Sequence, residues 1–397
     1  SCMAALPAGP VSLYLHIPFC AKMCWFCGCH TRVTARYEPV VDYLDLLRTE
    51  INLVSTHLPA GVTVNHIHFG GGSPTLLQPD DFIGLIDHLR TRFHVNADVN
   101  IAVEMDPRQI TPEKIKAYQQ SGVNRASLGV QDIHDDVMRA INRVQPFEVT
   151  ARTVDLCRAH GMNDINMDLI YGLPHQTPDT MRRTIAAICT LAPNRLALFG
   201  YAHVPWMKKH MRLIVEEDLP DSGTRYDLFE TGSACLVDQG YVPVGIDHFA
   251  TADDALTLSL QSGQLKRNFQ GYVPAAEDLP IIGLGVSSIS QTPFGYAQNT
   301  PHMPHYRDAL TAGALPTARG HTMTEDDRCR RAIIERLMCD GEVTLSHIMA
   351  QYPTARLDPA QLDRDLAPLM TDGLVTQSPD GTIRVRHRLA IRPVAAR

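Results

Sequence analysis

Ser12-Leu13-Tyr14-Leu15-His16-Ile17-Pro18-Phe19-Cys20-Ala21-Lys22-Met23-Cys24-Trp25-Phe26-Cys27-Gly28-Cys29 joins a short apolar run to a loop dense in cysteine. The run Ser12–Ile17 reads as a strand, and Pro18, which has no backbone donor, ends it. The loop holds four of the ten cysteines within ten residues. Thiolates are soft ligands, and several on one loop select zinc or iron–sulfur. Zinc knuckles usually pair two ligands two residues apart with a second, distant pair. No second Cys-x-x-Cys occurs in this chain. Gaps of three and two residues among Cys20, Cys24 and Cys27 suit one face of a cubane cluster. One iron then lacks a protein ligand, and an open position is what a metal needs in order to bind a substrate. A structural zinc site and a redox dithiol are the competing uses of such a loop.

Outward from the loop, apolar runs alternate with amphipathic stretches. Strand-like runs lie at 11–17, 66–69, 99–103, 125–128, 166–170 and 195–199. Helix-like stretches lie at 37–56, 79–92, 111–121, 135–141, 146–160 and 178–191, with Pro and Gly at the junctions. Six strand–helix units in series predict a parallel sheet with helical crossovers. Rolled up, this is an α/β fold, a partial (β/α)6 TIM-like barrel short of the eight units of a closed one. A helix at 223–239, a polar loop around Asp247-His248-Phe249 and an apolar run at 281–286 extend or cover it. From 322 the pattern changes. Helical stretches at 325–339, 345–351 and 359–371 lead to short runs at 374–377 and 382–386 around Asp380-Gly381, a hairpin signal. The expected organisation is a short N-terminal segment (1–10), a barrel with extension (11–320) and a small, mostly helical winged-helix-like domain (321–397).

The 44% hydrophobic and 20% charged content is that of an ordinary globular enzyme. A net charge of -7 argues against a general nucleic-acid binder. In the C-terminal domain acidic residues are interspersed with the basic ones, so a lid or docking role is expected there before DNA binding. No run approaches a transmembrane length. The N-terminus lacks the basic and apolar segments of a secretory signal. Met3 reads as a native start preceded by Ser1 and Cys2. Clustered cysteines in a chain of this size point to metal or redox chemistry in a reducing cytoplasm.

Polar residues end successive strands: Glu104 the third, Gln131 the fourth, Asp168 the fifth. Each alone could cap a helix. Three in consecutive strands point to a shared site, because ligands of α/β barrels sit at the C-terminal strand ends. Gly70-Gly71-Gly72-Ser73 after the second strand allows close backbone approach to a ligand, or is only a tight turn. His66 and His68 read as packing or hydrogen-bonding residues. Lys208, Lys209 and Arg212 read as a solvated face.

Cys-x-x-x-Cys-x-aromatic-Cys after the first strand of a barrel resembles the radical S-adenosylmethionine (SAM) enzymes. The resemblance extends through Leu13–Cys20, the Gly-Gly-Gly-Ser-Pro-Thr turn, Gly129-Val130-Gln131-Asp132 and Asp168–Pro174. These are shared by a branch holding oxygen-independent coproporphyrinogen III oxidases, heme chaperones and some methyltransferases. Cys29, Tyr201-Ala202-His203, Asp247–Ala250 and Arg267–Tyr272 point to the oxidases. The similarity covers nearly the whole chain from Leu13. It implies a [4Fe–4S] cluster on Cys20, Cys24 and Cys27, with SAM bound at the open iron. It further implies SAM contacts by Gly71, Gly72, Ser73, Glu104, Gln131, Arg143 and Asp168, the last on the ribose. Tyr14, Phe26 and Ala202 match neighbours of SAM, and Ile289 a further cofactor or substrate contact. Many members carry Thr where Ser73 stands, and the hydroxyl is kept.

The implied reaction is conversion of coproporphyrinogen III to protoporphyrinogen IX in heme synthesis. A deoxyadenosyl radical takes hydrogen from a propionate β-carbon, and loss of an electron and CO2 leaves a vinyl group. Two propionates react, and SAM is consumed twice. Cys29 is expected on the substrate side rather than as a ligand. Arg143, Lys209 and Arg267 are candidates for the substrate carboxylates. Also implied are a flavodoxin- or ferredoxin-like electron donor, no nucleic acid or membrane partner, and a cytoplasmic monomer. Members often carry an N-terminal arm before the first strand, where this sequence has only residues 1–10. The rivals are a heme-carrying chaperone, which typically lacks Cys29, and a radical SAM methyltransferase or cyclopropanating enzyme.

Overall fold

The structure, a computed structural model, describes residues 3–397. The reading of Ser1 and Cys2 as additions before a native start lies outside the described residues. The chain divides into two compact units. The first runs to Gln239 and resumes over Leu279–His321; the second is Gly240–Asp278 with Thr322–Arg397.

The first unit is built on a parallel sheet. Strands β1 (Gly9–Ile17), β2 (Val62–Gly71), β3 (His94–Met105), β4 (Arg125–Gln131), β5 (Asp164–Tyr171) and β6 (Arg195–Gly200) pair in chain order, each parallel to the one before. Parallel neighbours need long crossovers. These are α1 (Glu38–His57), α2 (Pro79–Arg92), α3 (Pro112–Gln120), α4 (Asp135–Ala140), α5 (Phe147–Ala159) and α6 (Pro178–Cys189). The six strands and six helices expected from the alternation are all present. The apolar run at 281–286 becomes a further parallel strand, β7 (Ile281–Leu284), on the other side of β1. Ser12 stands opposite Ile281 and Leu15 opposite Leu284. β8 (Ile289–Thr292) and β9 (Gly295–Asn299) continue antiparallel from it.

Side chains on a strand alternate between faces, and the burial pattern follows that period. Ala126, Leu128 and Val130 on β4, with Ile165, Met167 and Leu169 on β5, are fully or almost fully buried. The intervening Ser127, Gly129, Gln131 and Asp168 line a cavity instead. One face of the sheet is therefore core and the other carries polar groups.

α1 buries Val40, Tyr43, Leu44, Leu47, Ile51 and Val54, a helical stripe that also contains Glu50. Buried charge needs partners, and the Glu50 carboxylate accepts from Gly285 N–H (2.6 Å), Tyr306 hydroxyl (2.6 Å) and Asn299 Nδ2 (2.5 Å). Burial pushes its pKa up to about 7, against the pull of these donors. Two turns earlier, the Tyr43 hydroxyl donates to His16 C=O (2.7 Å) and accepts from Val286 N–H (3.2 Å). The helix thus fastens residues 285–306 to the end of β1. Glu50→Ala leaves the Gly285 N–H and the Tyr306 hydroxyl without this acceptor. The expected loss is about 3 kcal/mol, read as a fall of the thermal midpoint by several degrees; an unchanged midpoint contradicts the role given to this network.

In the second unit, helices Glu325–Asp340, Leu345–Gln351 and Pro359–Thr371 precede the antiparallel strands Val375–Gln377 and Thr382–Val385, with Val375 opposite Val385. Gly381 takes φ 83° at the turn, a conformation open to glycine. A strand at Glu342–Thr344, too short to read from the pattern, pairs with the hairpin. Cys329, Leu337, Val343, Ile348, Leu366, Val375 and Ile383 form the core. Residues 240–278 join this unit, and the Tyr272 hydroxyl donates to Met338 C=O (3.0 Å). No helix among the described residues is long and apolar enough to cross a membrane.

Candidate active site

The cysteine loop leaves the C-terminal end of β1 and is fastened from several sides. Trp25 N–H donates to Ile141 C=O (3.0 Å), and Asn142 Nδ2 to Met23 C=O (2.8 Å). Lys208 Nζ donates to Cys29 C=O (3.0 Å), and His210 Nε2 lies 2.8 Å from Cys27 C=O. Trp25 and Phe26 pack against a cluster containing Val137, Ile141, Tyr201 and Met211. Lys208, expected on a solvated face, is thus bonded to the loop backbone. Lys209 and Arg212 are exposed, as expected.

Cys20, Cys24, Cys27 and Cys29 all line one cavity of about 180 Å³. The thiols frame its wall rather than a point. Among the described residues no three His, Cys, Asp or Glu side chains are gathered closely enough to hold a single metal ion. Hydrogen bonding between the Cys27 and Cys29 thiols holds Cys27 down, to about 6, and pushes Cys29 up. Burial pushes the Cys20 thiol up to about 11, although Thr31 Oγ1 lies 3.1 Å from its sulfur.

The glycine turn forms a further part of the cavity wall. Gly71 has φ 115°, and a Cβ there would stand 2.7 Å from the His16 ring. A Cβ on Gly72 would stand 2.7 Å from Phe19 C=O. Only glycine lets this backbone lie so near the end of β1. Gly72 N–H donates to Ile17 C=O and Ser73 N–H to Phe19 C=O, both at 2.8 Å. Gly71, Gly72 and Ser73 all line the cavity.

Glu104, at the end of β3, accepts from Gly71 N–H (3.2 Å) and lies 3.1 Å from His68 Nε2. Burial acts to raise its pKa, but the His68 hydrogen bond and charge and the Gly71 donor hold it below the ordinary carboxylate range. His68 is thus a hydrogen-bonding residue, as expected. Its ring stacks on Tyr14 (5.7 Å), whose hydroxyl lies 3.1 Å from His16 Nδ1. Gln131 reaches the cavity through a slip in register after Gly129 and a φ of 71°. A non-glycine residue held there stores strain of order 1–3 kcal/mol. Asp168 accepts from Asn166 Nδ2 (2.9 Å).

Arg143 reaches in from the loop after α4, its Nη2 donating to Gly129 C=O (2.7 Å) and lying 3.4 Å from Asp106 Oδ1. Its Nε is buried with no hydrogen-bond partner. Burial tends to raise the Asp106 pKa, but Arg108 and Arg143 hold it below its usual range.

Phe26, Gly71, Gly72, Ser73, Glu104, Gln131, Arg143 and Asp168 thus share one cavity with all four cysteines. Tyr14 stands just behind the wall: burial first, then the charges of Glu104 and Cys29, raise its pKa far above the ordinary value. Ala202, exposed after β6, and Ile289, half-buried at the start of β8, do not line it. Arg267 lies in the second unit, its guanidinium over the Tyr272 ring (5.6 Å). Sequence reasoning missed Thr31, Asp106 and Arg108, which also line the cavity. Asp106-Pro107 reads only as a junction between strand and helix, and no local signal marks Arg108.

The radical SAM superfamily profile matches residues 14–188. The oxygen-independent coproporphyrinogen III oxidase of Bradyrhizobium diazoefficiens is 44% identical over 399 residues, covering 99% of this chain and 88% of that protein. The Escherichia coli protein of the same name is 38% identical over 394 residues, covering 99% and 86%. A solved structure described as the E. coli coproporphyrinogen III oxidase, a radical SAM enzyme, superimposes with a TM-score of 0.93 at 38% identity, covering all of this chain and 91% of that one.

Proposed function

From the fact that this chain belongs to the radical SAM superfamily, and within it to the oxygen-independent coproporphyrinogen III oxidase family, we propose that it decarboxylates two propionate side chains of coproporphyrinogen III to vinyl groups, giving protoporphyrinogen IX. The observation that carries the reading is the single cavity on whose wall the cysteine thiols meet the polar ends of β2 to β5. Its donor set fits the cofactors of the family. Cys20, Cys24 and Cys27 would hold the [4Fe–4S] cluster. The glycine turn with Glu104, Gln131, Arg143 and Asp168 would hold SAM, and the unpartnered Arg143 Nε and the close-lying glycine backbone suit an anionic, polar guest. When bound, the two groups supply a carbon-centred radical able to break an unactivated C–H bond, which acid–base side chains cannot.

The chain's own residues bind, orient and exclude water. The ionised Glu104 offers an acceptor for a cationic amino group. Asp168, held by Asn166, presents an acceptor suited to sugar hydroxyls. Phe26 supplies an apolar part of the wall that shields a reactive site from solvent, with Tyr14 behind it. Cys29, which lines the same cavity beyond the three ligand cysteines, faces the substrate side. The same reading includes a protein electron donor such as flavodoxin or ferredoxin, a monomer and a cytoplasmic setting, with neither nucleic acid nor membrane as partner.

The test is anaerobic. The reconstituted protein with SAM, a reductant and coproporphyrinogen III is expected to yield a product lacking two carboxyl groups, with two 5′-deoxyadenosines per product, by mass spectrometry. Deoxyadenosine without decarboxylated tetrapyrrole would remove the substrate assignment and leave the radical chemistry. Cys29→Ser is expected to keep its iron and its deoxyadenosine while product formation falls roughly 100-fold. Full product formation by this variant rules out a substrate-side role for the thiol.

A further inference from the structure

We propose that Arg108 and Thr31 are positioning residues that set the reduction potential of the iron–sulfur centre, an inference that rests on the cluster reading above. Each of the three ligand sulfurs has a donor, and Cys24 Sγ has two, because Arg143 Nη1 also lies 3.6 Å from it. Thr31 Oγ1 lies 3.1 Å from Cys20 Sγ, Arg108 Nη2 lies 3.6 Å from Cys24 Sγ, and Cys29 N–H donates to Cys27 Sγ at 3.4 Å. These donors come from the far end of the cysteine loop and from the turn after β3, so the pattern is made by the fold.

Arg108 is fixed before any cluster arrives. It sits in the single turn Pro107–Gln109, which Asp106 caps by accepting from Arg108 N–H (3.1 Å). The Asp106 carboxylate then takes the guanidinium on both oxygens, Nη2 to Oδ2 at 2.6 Å and Nε to Oδ1 at 2.9 Å. The two side chains are only 19% and 13% exposed. The same Nη2 is the atom that reaches Cys24. Because Asp106 is shared with Arg143, two guanidiniums stand against one carboxylate beside this sulfur. The surplus is positive.

A thiolate-bound cluster gains negative charge when it takes up an electron. Hydrogen bonds to its sulfurs and net positive charge nearby stabilise the reduced form and raise the potential. A charged donor does so more strongly than a neutral one. Arg108 is therefore the larger contributor and Thr31 the smaller. With Cys20 ionised, the single Thr31 hydroxyl proton goes to the sulfur rather than to Pro18 C=O, which lies 3.4 Å away.

The test is a dithionite titration of the reconstituted protein, without SAM or substrate, followed by electron paramagnetic resonance. Iron and sulfide are counted first; a wild-type protein that holds no cluster overturns the underlying reading, not this one. Arg108→Gln is expected to lower the reduced-to-oxidised ratio at fixed poise at least tenfold, a negative shift of about 59 mV. Arg108→Lys is expected to recover most of it. Thr31→Val shifts the potential negatively by less, and Thr31→Ser restores it. Arg108→Gln titrating with the wild type at full iron content overturns the proposal. Should that variant fail to take up a cluster, the threonine pair decides, and equal potentials for Thr31→Val and Thr31→Ser overturn it.

Discussion

Cys24→Ala is expected to abolish both deoxyadenosine formation and tetrapyrrole decarboxylation, and to leave the protein almost free of iron. Cys24 is the buried member of the three, 8% exposed, with the Arg108 and Arg143 guanidiniums each 3.6 Å from its sulfur. A centre that keeps an open position for a substrate has no spare protein ligand. Losing one of three thiolates therefore costs the centre itself. It also leaves two cations facing a methyl group, with Asp106 as their remaining counter-charge. The change is confined to a loop, so circular dichroism is expected to match the wild type. Cys157→Ala is the control: this thiol is fully buried in α5, away from the cavity, and iron content is expected to stay unchanged. Turnover by Cys24→Ala at normal iron would refute the ligand assignment.

Glu104→Gln is expected to keep its iron and lose affinity for SAM. A hydrogen bond to a charged group contributes about 1.5–3 kcal/mol, equivalent to roughly a 10- to 150-fold change in Kd. The replacement amide keeps the shape of the side chain but brings an N–H₂ towards the Gly71 N–H or the His68 ring, which now bond the carboxylate. The pH dependence distinguishes a charge effect from a loss of shape. With its pKa below the ordinary carboxylate value, Glu104 stays ionised until the pH falls through that lowered pKa. Wild-type affinity is therefore flat through the neutral range and falls only in acid. The variant lacks this acid limb. Equilibrium dialysis of the reconstituted proteins reads both, and equal affinities would remove Glu104 from the SAM site.

Much of this was legible because the first half of the chain obeys short-range rules. α2 matches the expected 79–92 because Pro79 opens it and an apolar stripe carries it to Arg92. The ends of β2 and β3 were less legible. His94, Asn96 and Asp98 begin β3 with polar residues, two of them exposed, and periodicity cannot distinguish such a segment from a loop. The candidate site divides along the same line. Glu104, Gln131 and Asp168 stand at strand ends and could be found by position. Arg108 and Lys208 could not: their partners in the cysteine loop are 84 and 179 residues away, and nothing local marks them. Glu50 gave no sign either, because a carboxylate on a helix reads as surface until its donors, more than 230 residues away, are seen.

The place of β1 in the sheet has a consequence for biosynthesis. It is made before both of its sheet neighbours, yet it ends between β2 and β7, with Ser12 beside both His66 and Ile281. The second of these neighbours emerges some 270 residues later, about 15–50 s at ordinary elongation rates. Throughout that interval one edge of the strand that presents the cysteines is without its partner, a state in which edges invite wrong pairing. The residues that close it, 281–306, also supply donors to Tyr43 and Glu50 of α1, the helix whose Tyr43 hydroxyl bonds the end of β1. Until residues 281–306 have been made, the strand that presents the cysteines lacks one neighbour and Glu50 lacks its donors.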